Sequence, residues 1–329
     1  MTLHLDSTAI GRLATEEVAL AAARLTVRMQ ADGAYALPPR IDVDVPTGFF
    51  RVMPAALGEY MGAKVMTLAK GQGNRYLLLV YRQDSGELLA TLDAAEVTRL
   101  RTAATTAVAG ELLCPQGTDV LGLVGTGFEA DGHLRAFARL WPLSKVLVYS
   151  RSADKRRAFA DRLATDLGIS VVPVASVEEV AGACPVTVLA TKATEPVVRG
   201  ADFAPNAVVL SIGSTRPNLR ELDATTFARA GRVLVDDPAQ VLAESGDVAA
   251  AVAAGAITPD SLVSMAEWSA SAAEDARAGG RDLLVFKSVG TALQDLALAA
   301  TLIEGARAQG LGRELGELTA LKAEGRKER

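Results

Sequence analysis

The stretch Asp119–Ser152, DVLGLVGTGFEADGHLRAFARLWPLSKVLVYSRS, decides the fold. Its apolar run Val120–Val124 reads as a buried strand. The run ends in Gly125-Thr126-Gly127-Phe128-Glu129-Ala130, a GxGxxA turn. A helical pattern follows with Leu134, Phe137, Ala138 and Trp141 on one face, and a second apolar run, Val146–Tyr149, closes the unit. Strand, glycine turn, helix and strand in that order form the setting a dinucleotide-binding fingerprint requires. Gly125 permits a tight turn, Gly127 lets the backbone approach a pyrophosphate, and Ala130 stands where helix and strand pack closely. The free N–H groups and positive end of the helix complete a phosphate site.

The tip of the second strand bears on cofactor choice. An acidic residue there would bond the ribose 2′-hydroxyl of NAD. This chain has Ser150-Arg151-Ser152, with Lys155, Arg156 and Arg157 close behind. A guanidinium forks onto a 2′-phosphate. The pattern favours NADP(H), with NAD(H) as the alternative.

A chain of 329 residues suggests two domains and is ample for a large core. Half the residues are hydrophobic but only 5% are aromatic, so alanine, valine, leucine and glycine must build the core. A net charge of −5 supplies no general basic field, which argues against nucleic acid and anionic membrane as partners. Cys114 and Cys184 lack CxxC spacing, and with only two histidines a metal site is not expected. Reduced thiols fit the cytoplasm. The N-terminus, MTLHLDSTAIGRLATEEV, shows no basic segment followed by an apolar one, so no signal peptide is expected. No apolar run reaches the ~20 residues of a membrane span.

Leu3–Asp6 reads as a short strand, Asp6 or Ser7 as a helix cap, and the stretch from Thr15 through Met29 as a helix. After the Pro38-Pro39-Arg40 loop, strands are expected at Ile41–Val45, Gly48–Pro54, Ala63–Ala69, Tyr76–Arg82 and Leu88–Asp93, with a hairpin turn at Asp84-Ser85-Gly86. These form a mostly antiparallel sheet. A helix from Ala94 to Leu113 leads to the glycine-turn unit. Beyond it, strands Ser170–Val174, Val186–Ala190, Val208–Ile212 and Val233–Val235 interleave with helices Ala153–Leu167 and Val177–Ala183. Helices are also expected over Ala239–Ala254 and Thr291–Gln309, with a frayed tail at Lys322–Arg329. The expected class is α/β: a doubly wound parallel Rossmann sheet plus a second, mostly antiparallel α+β domain. Ligands of such sheets bind at the carboxyl ends of the strands.

Several fixed pieces coincide along the chain: Arg51-Val52-Met53-Pro54, Gly62-Ala63-Lys64, Gly86-Glu87-Leu88-Leu89-Ala90, Leu100-Arg101-Thr102-Ala103-Ala104, Val124-Gly125-Thr126-Gly127, Gly213 with Glu221-Leu222, Gly246-Asp247, and Phe286-Lys287-Ser288-Val289-Gly290 with Asp295. From about Leu3 to Ala306 the chain resembles the ornithine cyclodeaminase/mu-crystallin family. That resemblance implies a dinucleotide-binding domain over 116–304. It also implies a substrate-binding and dimerisation domain made of 1–115 with about 305–329, in a homodimer. It implies nicotinamide-linked chemistry at an imino- or amino-acid carbon. Burying the substrate's carboxylate requires fixed cations, and by motif match these are Arg51, Lys64 and Arg101. The resemblance implies Lys64 as the acid/base or polarising group, which fits the readiness of a desolvated lysine to pass protons, with both arginines clamping the carboxylate. Cofactor contacts are implied at Thr102, the 125–130 turn, Ser150, Arg151, Ser152, Ala190, Thr191, Ser211, Gly213, Lys287, Ser288 and Gly290. Asp247 and Asp295 are read as structural, Asp236 and Asp237 as helix capping, and His133 as a surface residue.

One departure separates the chain from the cyclodeaminases it resembles. They carry an aspartate two residues after the glycine aligned with Gly213, and this chain has Thr215 followed by Arg216. Threonine is no general base at neutral pH. Hydride transfer at a C=N carbon is then the expected reaction, by an imine reductase or amino-acid dehydrogenase. Arg216 offers a seat for a second carboxylate, as in iminosuccinate. The alternatives are a cyclodeaminase releasing ammonia and a non-catalytic NADPH-binding protein of the mu-crystallin kind.

Overall fold

The structure is a computed structural model, and it describes residues 1–268 and 270–319. Two eight-stranded sheets organise it. The first runs in the order Arg313–Glu314, Leu3–Leu5, Leu88–Asp93, Gly73–Arg82, Tyr60–Ala69, Gly48–Leu57 and Tyr35–Ala36, with Ile41–Val45 also on the edge of Gly48–Leu57. Every pair is antiparallel except Leu3–Leu5 with Leu88–Asp93. The strands at 48–57, 60–69 and 73–82 start or end beyond the expected limits, because pairing continues up to tight turns: Leu57 faces Tyr60 directly.

Alternation on these strands fixes which side chains face inward. Phe49, Arg51, Met53, Ala55 and Leu57 are buried on one strand. Lys64 stands opposite Met53 on one side and Leu78 on the other, so it shares their buried face. Helix Ala292–Gln309 lies across that face and closes it.

The second sheet is wholly parallel, in the order Ser170–Pro173, Lys145–Tyr149, Val120–Val124, Val186–Leu189, Val208–Ser211, Leu284–Lys287, Val233–Val235 and Leu262–Ser264. Chain order reverses direction between Val120–Val124 and Val186–Leu189, which opens a crevice at their carboxyl ends. Helix Ala95–Leu113 is buried along most of its length. It packs on helices Glu16–Ala31, Phe128–Leu140 and Ala292–Gln309 and reaches strands of both sheets. Its alanines and Gly110 permit this crowding, with the Phe137 ring directly over Gly110.

Three expectations are corrected. The single helix over Ala239–Ala254 is two, Pro238–Glu244 and Gly246–Ala253. Ser245 breaks it: its extended backbone ends the first helix, and its hydroxyl caps the second at Val248 N–H. His133 is fully buried rather than superficial. Its Nδ1 lies 2.6 Å from the Glu129 carbonyl and its Nε2 3.0 Å from the Thr106 hydroxyl, so it ties two helices together. Burial pushes it down to about 4 and keeps it neutral. Asp236 caps no helix, as described below; Asp237 alone does so, accepting from Gln240 N–H. The expected tail Lys322–Arg329, and the last part of the expected C-terminal return, lie outside the described residues. Among the described residues no helix is long and apolar enough to cross a membrane.

Candidate active site

The cations singled out from the sequence converge at the carboxyl edge of the parallel sheet. Lys64 Nζ lies 2.7 Å from Asp295 Oδ2, and Arg101 Nε lies 2.9 Å from Asp295 Oδ1. All three side chains are buried. Neither contact is aligned as a hydrogen bond, so this is a charge triad in which one carboxylate answers two cations. Burial is the main cause that lowers Lys64 to about 7. Arg101 pushes the same way and Asp295 opposes both. Asp295, read as structural from sequence, is therefore at the centre of the site.

The loop after strand Leu284–Lys287 shapes one wall. Asp236 accepts from Ser288 Oγ and from Gly290 N–H, both at 2.7 Å, and fixes the loop. Gly290 has φ +74°, and a Cβ there would sit 2.4 Å from Arg101 Nη1. Only glycine lets the guanidinium pass. Arg101 Nη1 continues to Gln294 Oε1 at 2.7 Å.

A second cation cluster lies beside the triad. Arg51 forks onto Asp42 with two bonds of 2.6 Å, so its guanidinium is already engaged by protein. This holds the Asp42 carboxyl below its usual range. Arg216 reaches over from the loop after strand Val208–Ser211. It sits 4.3 Å above the Phe49 ring and 3.7 Å from Asp42, and its Nη2 is buried without a hydrogen bond among the described residues. Thr215 precedes it, half-buried, with its N–H on the Gly213 carbonyl. Arg40, which the sequence reading passed over as loop, is buried here as well. It pairs with Glu244 at 2.7 Å and donates to the Gly290 carbonyl at 2.6 Å. Its only sequence signal was an arginine directly after two prolines.

The glycine turn fits a dinucleotide. Gly125 has φ +120°, and a Cβ there would strike the Ala190 carbonyl at 2.4 Å. Helix Phe128–Leu140 starts at Gly127 with no side-chain cap, and a Cβ on Gly127 would meet nothing within 4 Å. First-turn N–H groups are left open to phosphate oxygens. Phe128 is exposed at the lip, and Thr126 Oγ1 bonds Ser150 Oγ at 3.1 Å across to the next strand. Arg151 is exposed; Ser152 caps the following helix.

Other expected cofactor residues have their side chains engaged by protein. Thr102 Oγ1 donates to the Thr98 carbonyl. Buried Glu221 accepts from Thr191 N–H, Thr191 Oγ1, Ser211 Oγ and Gly213 N–H, at 2.6–2.8 Å. Lys287, fully buried, donates to Ser211 Oγ and pairs with Asp247 at 3.3 Å. This network fixes three strand ends, so Thr191 and Gly213 are presented by a rigid rim. Glu221 was missed as an organiser; the motif drew attention to it without suggesting its acceptor role.

A parallel doubly wound sheet with an uncapped glycine turn, facing a buried lysine–aspartate–arginine triad, defines a nicotinamide-dependent oxidoreductase that acts on C=N or CH–NH2 groups. The chain belongs to the ornithine cyclodeaminase/mu-crystallin family, whose model matches residues 7–310. It is 33% identical over 278 residues to the ketimine reductase mu-crystallin of Mus musculus, covering 82% of this chain and 84% of that one. It is 28% identical over 322 residues to the alanine dehydrogenase of Archaeoglobus fulgidus, covering 95% and 98%. A solved Thermococcus litoralis Δ1-pyrroline-2-carboxylate reductase, in complex with NADH and L-proline, superposes with a TM-score of 0.86 at 28% identity, covering 95% and 100%.

Proposed function

We propose that this enzyme is an NAD(P)H-dependent imine reductase, reversibly an amino-acid dehydrogenase, working at the α-carbon of a small imino or amino acid. The observation that carries the reading is the triad of Lys64, Arg101 and Asp295, buried beside the carboxyl edge of the parallel sheet. Relatives named ketimine reductase and pyrroline-2-carboxylate reductase support it. A nicotinamide dinucleotide held by its phosphates at the glycine turn would supply the hydride. The chain's own residues do the rest. Lys64, near neutrality, gives a proton to the substrate nitrogen or takes one back. Arg101 Nη2 has no protein partner among the described residues, so it is available to a carboxylate. The proposed domain roles are substrate binding by 1–115 with about 305–329, and dinucleotide binding by 116–304. Cyclodeamination is disfavoured because Thr215 offers no base where the cyclodeaminases have one.

A second acidic group on the substrate suits Arg216, whose Nη2 makes no hydrogen bond among the described residues, only a 3.7 Å ion-pair contact with Asp42, and whose plane is held by Phe49. Iminosuccinate is the type of substrate meant. Arg216→Ala is expected to raise KM for a dicarboxylic imino acid about tenfold and to leave a monocarboxylic one nearly unchanged. Equal effects on both would remove the second seat.

NADP(H) is the favoured cofactor. Arg156 is braced by the Ser150 carbonyl at 2.5 Å and stacks on Tyr149, while Arg151 is exposed and free to turn toward a 2′-phosphate. Arg151→Asp is expected to shift the NADPH-to-NADH ratio of kcat/KM toward NADH by about tenfold or more. An unmoved ratio would refute the assignment.

Two copies are proposed to pair through the outer face of the mixed sheet. Ile41, Val43, Val45, Phe50 and Leu77 stand exposed there, a patch larger than scattered surface residues explain. The test of the whole reading is a turnover screen of α-keto acids with ammonia or methylamine, and of preformed cyclic imines, against both reduced cofactors. Consumption of NADPH with at least one imine is expected. No turnover with any, or ammonia release from ornithine or lysine, would overturn it.

A further inference from the structure

The Arg101 guanidinium is held from three sides, and one of its holders is outside the charge triad. Gln294 stands immediately before Asp295 in the first turn of helix Ala292–Gln309, and its side chain is buried. The two neighbours divide the guanidinium between them. Asp295 Oδ1 meets Nε at 2.9 Å, and Gln294 Oε1 accepts from Nη1 at 2.7 Å. The third side is the backbone of Gly290, where a Cβ would lie 2.4 Å from Nη1 and 3.1 Å from Nη2. Nη2 is left without a protein partner among the described residues.

The Gln294 amide is itself fixed. Its Oε1 also accepts the Thr291 N–H at 3.3 Å. With two donors on that oxygen, the amide must turn its NH2 group the other way. There Nε2 lies 3.4 Å from Asp236 Oδ2, the same oxygen that accepts from Gly290 N–H at 2.7 Å. Gln294 therefore joins a cation to an anion through a neutral dipole. The loop that crowds Arg101 and the amide that steadies it are anchored on one carboxylate.

We propose that Gln294 is a positioning residue for substrate recognition: it turns the Arg101 guanidinium so that Nη2 receives the α-carboxylate of the imino acid. This rests on the imine-reductase reading. Fixing a long side chain costs rotamer freedom, and here that ordering is complete before substrate arrives. The α-carboxylate keeps its charge throughout hydride transfer, so the grip on it is equal in ground and transition states. Such binding acts on KM and leaves kcat alone.

Gln294→Met and Gln294→Asn test it. Methionine keeps the side-chain length and loses both polar ends; asparagine keeps the amide but is one carbon shorter, too short to hold Arg101. Each full-length variant is assayed with NADPH and with Δ1-pyrroline-2-carboxylate or pyruvate plus methylamine, whichever the parent reduces faster. KM for the imino acid is expected to rise about tenfold in both, with kcat within about threefold of the parent and NADPH affinity, read by fluorescence titration, unchanged. In an Arg101→Ala background, adding Gln294→Met is expected to change kcat/KM by less than about twofold. A parental KM in both variants, a full additional loss in the Arg101→Ala background, or an equal loss of NADPH affinity would overturn the positioning role. A lowered urea midpoint with a parental KM would reduce Gln294 to a helix cap. Any of these results in an active enzyme leaves the reductase reading standing. A parent that reduces no imine defeats that reading, and the positioning role with it.

Discussion

Lys64→Met is expected to abolish turnover, with kcat down by about 10³-fold or more, while the dinucleotide binds as before. Steady-state rates and a fluorescence titration with reduced cofactor separate the two effects. Methionine reproduces the four-atom apolar stem of lysine and ends one atom short, so the strand face opposite Met53 and Leu78 stays packed. Only the proton-bearing nitrogen is lost. The parent enzyme's pH dependence follows from a Lys64 lowered to about 7. Imine reduction needs the ammonium, so its rate falls as pH rises through about 7. Amine oxidation needs the free amine, so its rate rises over the same interval. A Lys64→Met enzyme retaining kcat within a few-fold would remove the lysine from the chemistry.

Asp295→Asn is expected to be the most destabilising single exchange in the site. The shape is kept, but Lys64 and Arg101 then face each other in a buried space with no anion. Breaking a buried pair by removing one partner costs about 3–5 kcal/mol. A lowered urea midpoint would register it. Asp295 is also the group that holds Lys64 up against burial and Arg101. Without it Lys64 falls further below 7, and whatever reductase activity remains is lost at lower pH than in the parent. An unmoved midpoint with an unmoved pH profile would deny Asp295 its place between the two cations.

Six of the eight parallel strands were legible because they are short, largely apolar runs, a pattern that survives without tertiary context; Leu262–Ser264 and Leu284–Lys287 were not expected. Val177–Ala183 and Ala153–Leu167 begin and end where the sequence puts them, since Ser176 and Ser152 cap them locally. The break at Ser245 was hidden inside a helical pattern, because a serine that ends one helix and caps the next looks like an ordinary polar position. His133 was misread for a related reason. A histidine at a helix position reads as polar, and only the approach of Thr106 from a distant helix makes a buried place for it. In the site, motif matches gave the cations their role, while Asp295 and Asp247, though among the matched pieces, were read only as structural. Asp295 and Asp236 act through partners far away in sequence, and no local pattern records that. Arg40 was invisible for the same reason: its pairing with Glu244 exists only once two sheets have come together.

The helix Ala292–Gln309 brings Asp295 to Lys64 from the far end of the polypeptide. A ribosome therefore releases the strand bearing the lysine long before the carboxylate that accompanies it. Until then the inner face of the mixed sheet lacks both the cover of that helix and the carboxylate that pairs with the amine. Domains generally fold as units during synthesis, N-terminal ones first. Here the amino-terminal unit is denied that schedule, and its consolidation waits for almost the whole chain to emerge.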